Sequence, residues 1–134
     1  MNDIKNKVAY ITGGSKGIGL GIAKSLLDSG MRVAITSRSL GAAKEAAASL
    51  SSDSSKILAI ESEVSSLAAE MKAIKAVTDY FGQLDVVIAN AGIGHFAPID
   101  SITEEQWKET IDTNLTGVFN SVKASVESLK PSKG

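Results

Sequence analysis

Glycines at positions 13, 17 and 19 mark the segment Thr12-Gly13-Gly14-Ser15-Lys16-Gly17-Ile18-Gly19, and the period of the chain changes across it. Before it, Val8-Ala9-Tyr10-Ile11 is a short, partly β-branched apolar run that reads as a strand. After it, Ile18, Ile22 and Leu26 recur every four residues with Ala23 and Leu27 beside them, and Gly30 stands where a helix C-cap glycine belongs. A strand that turns through glycines directly into a helix opens a βαβ unit. Glycine suits such a turn because the backbone needs positive φ, and because a Cβ would keep a pyrophosphate away from the backbone. The first N–H groups of the helix then meet the phosphate charge. The plainer alternative is a tight turn that only packs helix on sheet.

The alternation continues along the chain. Residues 32–36 predict a second strand, 42–50 an alanine-rich helix, 51–55 a polar turn and 57–60 a third strand. Leu67, Met71, Ile74, Val77 and Phe81 fall on one helical stripe. Residues 86–89 are a continuous apolar run, which predicts a strand with helices on both faces, and 90–94 form a glycine-bearing turn. A loop containing Pro98 leads to Thr103, which with Gln106 predicts a capping box at the start of a long helix. Trp107, Ile111, Leu115, Val118, Phe119, Val122, Val126 and Leu129 hold its spacing, with Gly117 as its weak point. Residues 131–134 read as a turn-like tail, as if approaching another strand. The pattern predicts an α/β fold with a parallel sheet, right-handed crossovers and strand order 3-2-1-4, in one domain over residues 1–134. There is no internal repeat and no linker.

Composition removes several function classes. Fourteen basic and fifteen acidic side chains give a net charge of -1, so nothing points to a nucleic-acid or anionic-membrane partner. The chain has no cysteine, which excludes a disulfide framework, a thiolate nucleophile and a sulfur-ligated metal. Its single histidine excludes a polyhistidine metal site, and no metal is expected. The apolar run near the N-terminus is too short for a signal peptide or a membrane span, so a cytoplasmic protein is expected.

The segment at 12–19 matches the Thr-Gly-x-x-x-Gly-x-Gly cofactor motif of the classical short-chain dehydrogenases/reductases, which this sequence resembles from about Lys7 to Leu129. Asn90-Ala91-Gly92 resembles that family's Asn-Ala-Gly motif after the fourth strand, with Ala89 where the family has a preceding asparagine. Asn114, in Thr113-Asn114-Leu115-Thr116-Gly117, matches the family's catalytic-tetrad asparagine. The resemblance implies a Rossmann-type three-layer sandwich that binds a nicotinamide dinucleotide. It implies that Gly13, Ser15, Lys16, Gly17 and Gly19 surround the pyrophosphate, that Ile18 packs near the cofactor, and that Asn90, Ala91 and Gly92 lie beside the adenosine ribose and the nicotinamide end. Glu63 stands where the family has an aspartate at the adenine amino group, and Val64 adds backbone and apolar contact there.

Cofactor choice is read at the end of strand two. A site selective for NAD expects an acid there to bond the ribose hydroxyls, whereas arginine accommodates a 2′-phosphate. The turn here is Thr36-Ser37-Arg38, so NADP(H) is expected over NAD(H).

The family's catalytic serine and Tyr-x-x-x-Lys pair come after the asparagine helix, and this chain ends at Gly134 before any of them. Neither Tyr10 nor Tyr80 has a lysine four residues on. The reading is therefore the cofactor-binding part of an oxidoreductase that moves hydride between NADP(H) and a carbonyl or alcohol substrate, incomplete at its C-terminal side and inactive alone. Two alternatives stay open: a non-catalytic nucleotide-binding module, and an interaction or structural fragment that binds no nucleotide. His95 borders the Asn-Ala-Gly turn and reads first as a solvated loop residue. Glu104, Glu105 and Glu109 read as a solvated helix face, and Met71, Trp107 and Phe119 as core or interface. An unguarded fourth strand and the long helix's apolar stripe predict a homo-oligomer.

Overall fold

A computed structural model describes residues 3–134. The order is β1 (Val8–Ile11), α1 (Gly17–Asp28), β2 (Arg32–Ser37), α2 (Leu40–Leu50), β3 (Ile57–Glu61), α3 (Leu67–Phe81), β4 (Val86–Ile88), α4 (Glu104–Ile111) and α5 (Gly117–Leu129). A π-helical turn, Asp112–Thr116, joins α4 to α5, and a 3₁₀ turn, Lys130–Ser132, follows α5. All strand pairs are parallel and the sheet order is β3-β2-β1-β4. The chain moves outward from β1 through β2 to β3, then crosses back to place β4 on the other side of β1. The loops after β1 and β4 therefore diverge at the C-terminal ends of the strands and leave a crevice between them.

β1 is buried along its whole length, so both of its faces must be apolar. Val8 and Tyr10 join Ala34, Ile74, Val77, Phe81 and Leu84 in the core under α3 and α5. Ile11 joins Val33, Ile35, Ala23, Ala46, Ala47 and Ile57 in the core under α1 and α2. Alanine serves α2 because small side chains let the helix lie close to β2 and β3. At the opposite end of the sheet from the crevice, Asp85 accepts hydrogen bonds from Val8 N at 2.8 Å, Lys7 Nζ at 3.1 Å and Gln83 Nε2 at 2.7 Å. Burial pushes the Asp85 carboxyl up, but these three donors outweigh it and hold its pKa below the ordinary value.

Three expectations need correction. Met71 is 57% exposed, and the inward position one residue earlier is taken by Glu70. β4 ends at Ile88, one residue short of the apolar run; as expected it is an edge strand packed on both faces, Val87 on one core and Ile88 on the other, while Val86 is 37% exposed. The long helix is interrupted before Gly117, in the π turn that holds Asn114. Gly117 itself answers a close approach, since a Cβ there would stand 2.6 Å from Val64 Cγ2. The Thr103–Gln106 capping box forms as the spacing predicts, with bonds of 3.1 and 3.0 Å. Among the described residues, no helix is long and apolar enough to cross a membrane.

Candidate dinucleotide cleft

A cleft of about 440 Å³ opens at the C-terminal ends of the strands, between the loops after β1 and β4. Gly13 and Gly17 both have positive φ, +63° and +55°, and a Cβ on Gly17 would point into open space. Gly17 thus bends the chain into α1 while leaving room above it. Gly19 acts differently, because it is buried and its Cβ would meet Asn90 Nδ2 and Gly13 O, each at 2.5 Å. Its absent side chain lets the first turn of α1 pack on the two loops. It does not line the cleft, although Gly13, Ser15, Lys16, Gly17 and Ile18 do.

The start of α1 differs from those of α2, α3 and α4. Ser39, Ser66 and Thr103 each cap their helix with a side-chain oxygen. Lys16, at the same position of α1, makes no such bond, and no acid lies in the first turn. The first N–H groups of α1 are left for an outside acceptor, and the helix dipole favours that acceptor being anionic.

The loops on either side are tied together. Asn90 Nδ2 donates to Thr12 O at 3.0 Å and Gly13 O at 3.2 Å, while Thr12 Oγ1 accepts from Asn90 N and Ala91 N, both at 3.0 Å. The Asn90 side chain therefore shapes the cleft wall, with its amide donated to the glycine loop. Asn114 clamps the next stretch: its Oδ1 accepts from Ile93 N at 2.8 Å and its Nδ2 donates to Ile93 O at 2.7 Å. Asn114 does not line the cleft, whereas its neighbour Thr113 does.

The far end of the cleft is made by β2, β3 and the loops that leave their C-terminal ends. Ser37, Arg38, Glu63 and Val64 all line it, as does Gly92 from across the crevice. Arg38 is exposed and makes no salt bridge among the described residues. Val64 is buried and its carbonyl accepts from Asn120 Nδ2 at 2.8 Å, which anchors the β3–α3 loop to α5. Glu61, the last residue of β3, has Oε2 at 3.2 Å from Leu40 N, so it supports the start of α2.

Sequence reasoning missed several groups. Thr36 and Ser62 line the cleft, and the alternation of side chains along β2 and β3 was the available signal. Glu70 is fully buried, and three hydroxyls donate to it: Tyr10 at 2.9 Å, Ser62 at 2.6 Å and Ser121 at 2.8 Å. Burial, reinforced by the Glu70 carboxylate, pushes the Tyr10 phenol well above its ordinary range. His95 is not simply solvated, nor is Glu109: His95 Nε2 lies 3.0 Å from Glu109 Oε2 and ties the loop after β4 to α4.

The short chain dehydrogenase family profile matches residues 7–134. The chain is 32% identical over 127 residues to the NADP-dependent (R)-specific alcohol dehydrogenase of Lentilactobacillus kefiri, covering 95% of this chain and 50% of that protein. An alcohol dehydrogenase from the archaeon Thermococcus sibiricus, solved with 5-hydroxy-NADP, superposes with a TM-score of 0.89 at 37% identity, over 97% of this chain and 56% of that one. A 3-ketoacyl-(acyl-carrier-protein) reductase from Brucella melitensis, solved with NADH, superposes with a TM-score of 0.89 at 29% identity, over 96% of this chain and 52% of that one. The chain spans about half the length of the curated relatives it matches.

Proposed function

The chain belongs to the short chain dehydrogenase family, and from that premise we propose that it forms the nucleotide-binding half of an oxidoreductase acting between NADP(H) and a carbonyl or alcohol. The observation that carries the reading is the uncapped N-terminus of α1 opening into the cleft, with Arg38 free of ion pairs among the described residues at the other end. When bound, the nicotinamide ring gives or accepts the hydride.

In this reading the chain's own residues bind and orient. The first N–H groups of α1 take the pyrophosphate oxygens above Gly13 and Gly17, with Ser15 and Lys16 beside them and Ile18 against the cofactor. Gly19 contributes by holding α1 to Asn90. Ser37 and Arg38 take the 2′-phosphate, since the end of β2 carries no acid to bond a ribose hydroxyl in its place. Glu63 and Val64 receive the adenine, and Asn90, Ala91 and Gly92 form the wall toward the nicotinamide end. The NADP-named relative supports this choice, and the NADH-bound one sets the alternative against which it is tested.

Asn114 positions the Ile93 stretch through its two-bond clamp. An amide does not titrate near neutrality, so Asn114 cannot supply the proton that carbonyl reduction needs. The 134-residue chain is thus expected to bind NADP(H) without turning over a ketone. We assign the apolar outer face of α5, with the β4 edge, to contact with a second copy.

Titration calorimetry of the protein with NADPH and NADH tests the reading. NADPH should bind at least about tenfold tighter, and Arg38→Ala should erase most of that difference. Equal affinity in the parent would defeat the NADP(H) assignment. Absence of binding by either nucleotide would favour the interaction fragment.

A further inference from the structure

The chain leaves the sheet at the end of β3, and what holds it next comes from α5. Ser62 N still donates to Ser37 O at 3.0 Å. Beyond it, among the described residues, no backbone hydrogen bond ties Glu63 or Val64 to a strand. A stretch without such bonds opens easily unless something outside it fixes its place. Ser62, Glu63 and Val64 all line the cleft, so the place they take shapes its wall.

Helix α5 grips this stretch at two points. Asn120 Nδ2 donates to Val64 O at 2.8 Å, and one turn earlier Gly117 lets Val64 come so close that a Cβ would stand 2.6 Å from Val64 Cγ2. Ser121 reaches the same stretch through Glu70. Its hydroxyl donates to Glu70 Oε2 at 2.8 Å, while Glu70 Oε1 accepts from Ser62 Oγ at 2.6 Å. Asn120 and Ser121 are buried, and neither lines the cleft. Packing alone does not account for Asn120. Asparagine is a poor helix former and its amide is costly to bury, whereas an apolar side chain would fill the seam more cheaply. What the amide adds is a directional bond to one carbonyl of the cleft wall.

We propose that Asn120 is a positioning residue for the cleft. From the inner face of α5 it fixes the stretch between β3 and α3, with Ser121 and Glu70 as a second tie, so nucleotide affinity depends on side chains that do not line the cleft. The inference rests on the reading of the cleft as a dinucleotide site. The tie adds no contact to any part of the nucleotide. It holds the wall in place beforehand, which removes an ordering cost from binding.

The test is calorimetry of the parent, Asn120→Asp and Asn120→Ala with whichever of NADPH and NADH the parent binds more tightly. Urea unfolding first establishes that each variant is folded. Asn120→Asp puts a carboxylate against Val64 O, and at about pH 8 it should bind about tenfold more weakly than the parent. At about pH 5.5 a carboxyl buried there takes up a proton and can donate to that carbonyl, so the affinity should return to within about twofold of the parent's. Comparison with the parent at the same pH cancels the titration of the nucleotide's own phosphates. Asn120→Ala has no donor to regain and should stay about tenfold weaker at both pH values. Ser121→Ala loosens the second tie only and should weaken binding about threefold; it decides the question if Asn120→Asp does not fold. Parent-like affinity of a folded Asn120→Asp at the higher pH, or of Ser121→Ala in its place, would overturn this inference and leave the cleft reading standing. A loss of equal size at both pH values in Asn120→Asp would overturn it too, since the effect would then not follow the bond to Val64. A parent that binds neither nucleotide would bring down the cleft reading, and this inference with it.

Discussion

Helices α3 and α5 pack on the same face of the sheet, yet they are amphipathic in opposite senses. α3 turns Ala73, Ile74, Val77 and Phe81 inward and leaves Met71 and Tyr80 outside. α5 turns Gly117, Asn120, Ser121 and Ser125 inward and leaves Val118, Phe119, Val122 and Val126 to solvent. The difference shows that an apolar stripe does not say which way a helix faces. α5 meets α3 through small and polar side chains because it runs close to Val64 and to Glu70. Asn120 bonds Val64 O, Ser121 bonds Glu70, and the Gly117 position has no room for a Cβ. Among the described residues its outward stripe joins neither core, and with Trp107 and Leu115 it forms the kind of exposed patch that marks an interaction surface.

The sharpest way to break this contrast is at Glu70, the polar residue inside the seam. Glu70→Ala leaves the buried Tyr10, Ser62 and Ser121 hydroxyls without their acceptor, and should cost about 3 kcal/mol in urea unfolding. Glu70→Gln keeps an acceptor oxygen and should cost clearly less. If Glu70→Ala were as stable as the parent, the seam would not depend on its polar centre.

The outer face of α5 comes next. Phe119→Asp with Val122→Asp should weaken self-association about a hundredfold in analytical ultracentrifugation, with monomer stability changing by no more than roughly 0.5 kcal/mol. A parent that sediments as a monomer at every concentration would refute the reading of the outer stripe. Loss of folding in the double variant would mean that the outer stripe is core after all.

Proton linkage separates the seam from the far end of the sheet. The Tyr10 pKa is raised in the fold, so the native state keeps a proton that the unfolded chain loses above its ordinary value of 10.0. Stability should therefore fall as pH rises past that value, by up to about 1.4 kcal/mol per pH unit. Tyr10→Phe should flatten that alkaline limb. Asp85 gives the opposite sign: its lowered pKa stabilises the fold above the ordinary carboxylate value of 3.8, and that contribution is lost as pH falls through the folded value. Asp85→Asn should flatten the acid limb of a denaturation series and leave the alkaline one alone.

The smallest effect is expected at Asn114, where the interrupted helix holds the loop after β4. Asn114→Ala removes two hydrogen bonds at an exposed site and should cost about 1 kcal/mol or less. Its signature is local: the Ile93 amide should exchange with solvent faster, while the amides of β1 stay protected. Unchanged exchange at Ile93 would show that the clamp does not order the loop.

Much of the fold was legible because its signals are local. The glycine loop, the capping box at Thr103 and the apolar runs of the strands each act over a few residues, and each appears where the spacing puts it. The strand order follows from the same alternation, because right-handed parallel crossovers leave few arrangements. The residues expected at the cleft were legible through the motifs, and most of them line it. Gly19 and Asn114 do not, since both support neighbours that do. Thr36, Ser62 and Glu70 carried no motif, and their polarity gained meaning only when the elements around them were in place.

By itself the sequence determined the βα alternation, the turn at Gly13–Gly17 and the helix starts, because dihedral preference, hydrophobic period and capping are settled between near neighbours. Only the tertiary structure decided which face of α5 turns inward, that Glu70 rather than Met71 is buried, and that His95 meets Glu109. Those outcomes depend on atoms far apart along the chain, such as Glu70 and Ser121, which are 51 residues apart. A buried carboxylate is tolerable only where distant hydroxyls converge on it, and that convergence belongs to the packing of α5 against α3 and β1.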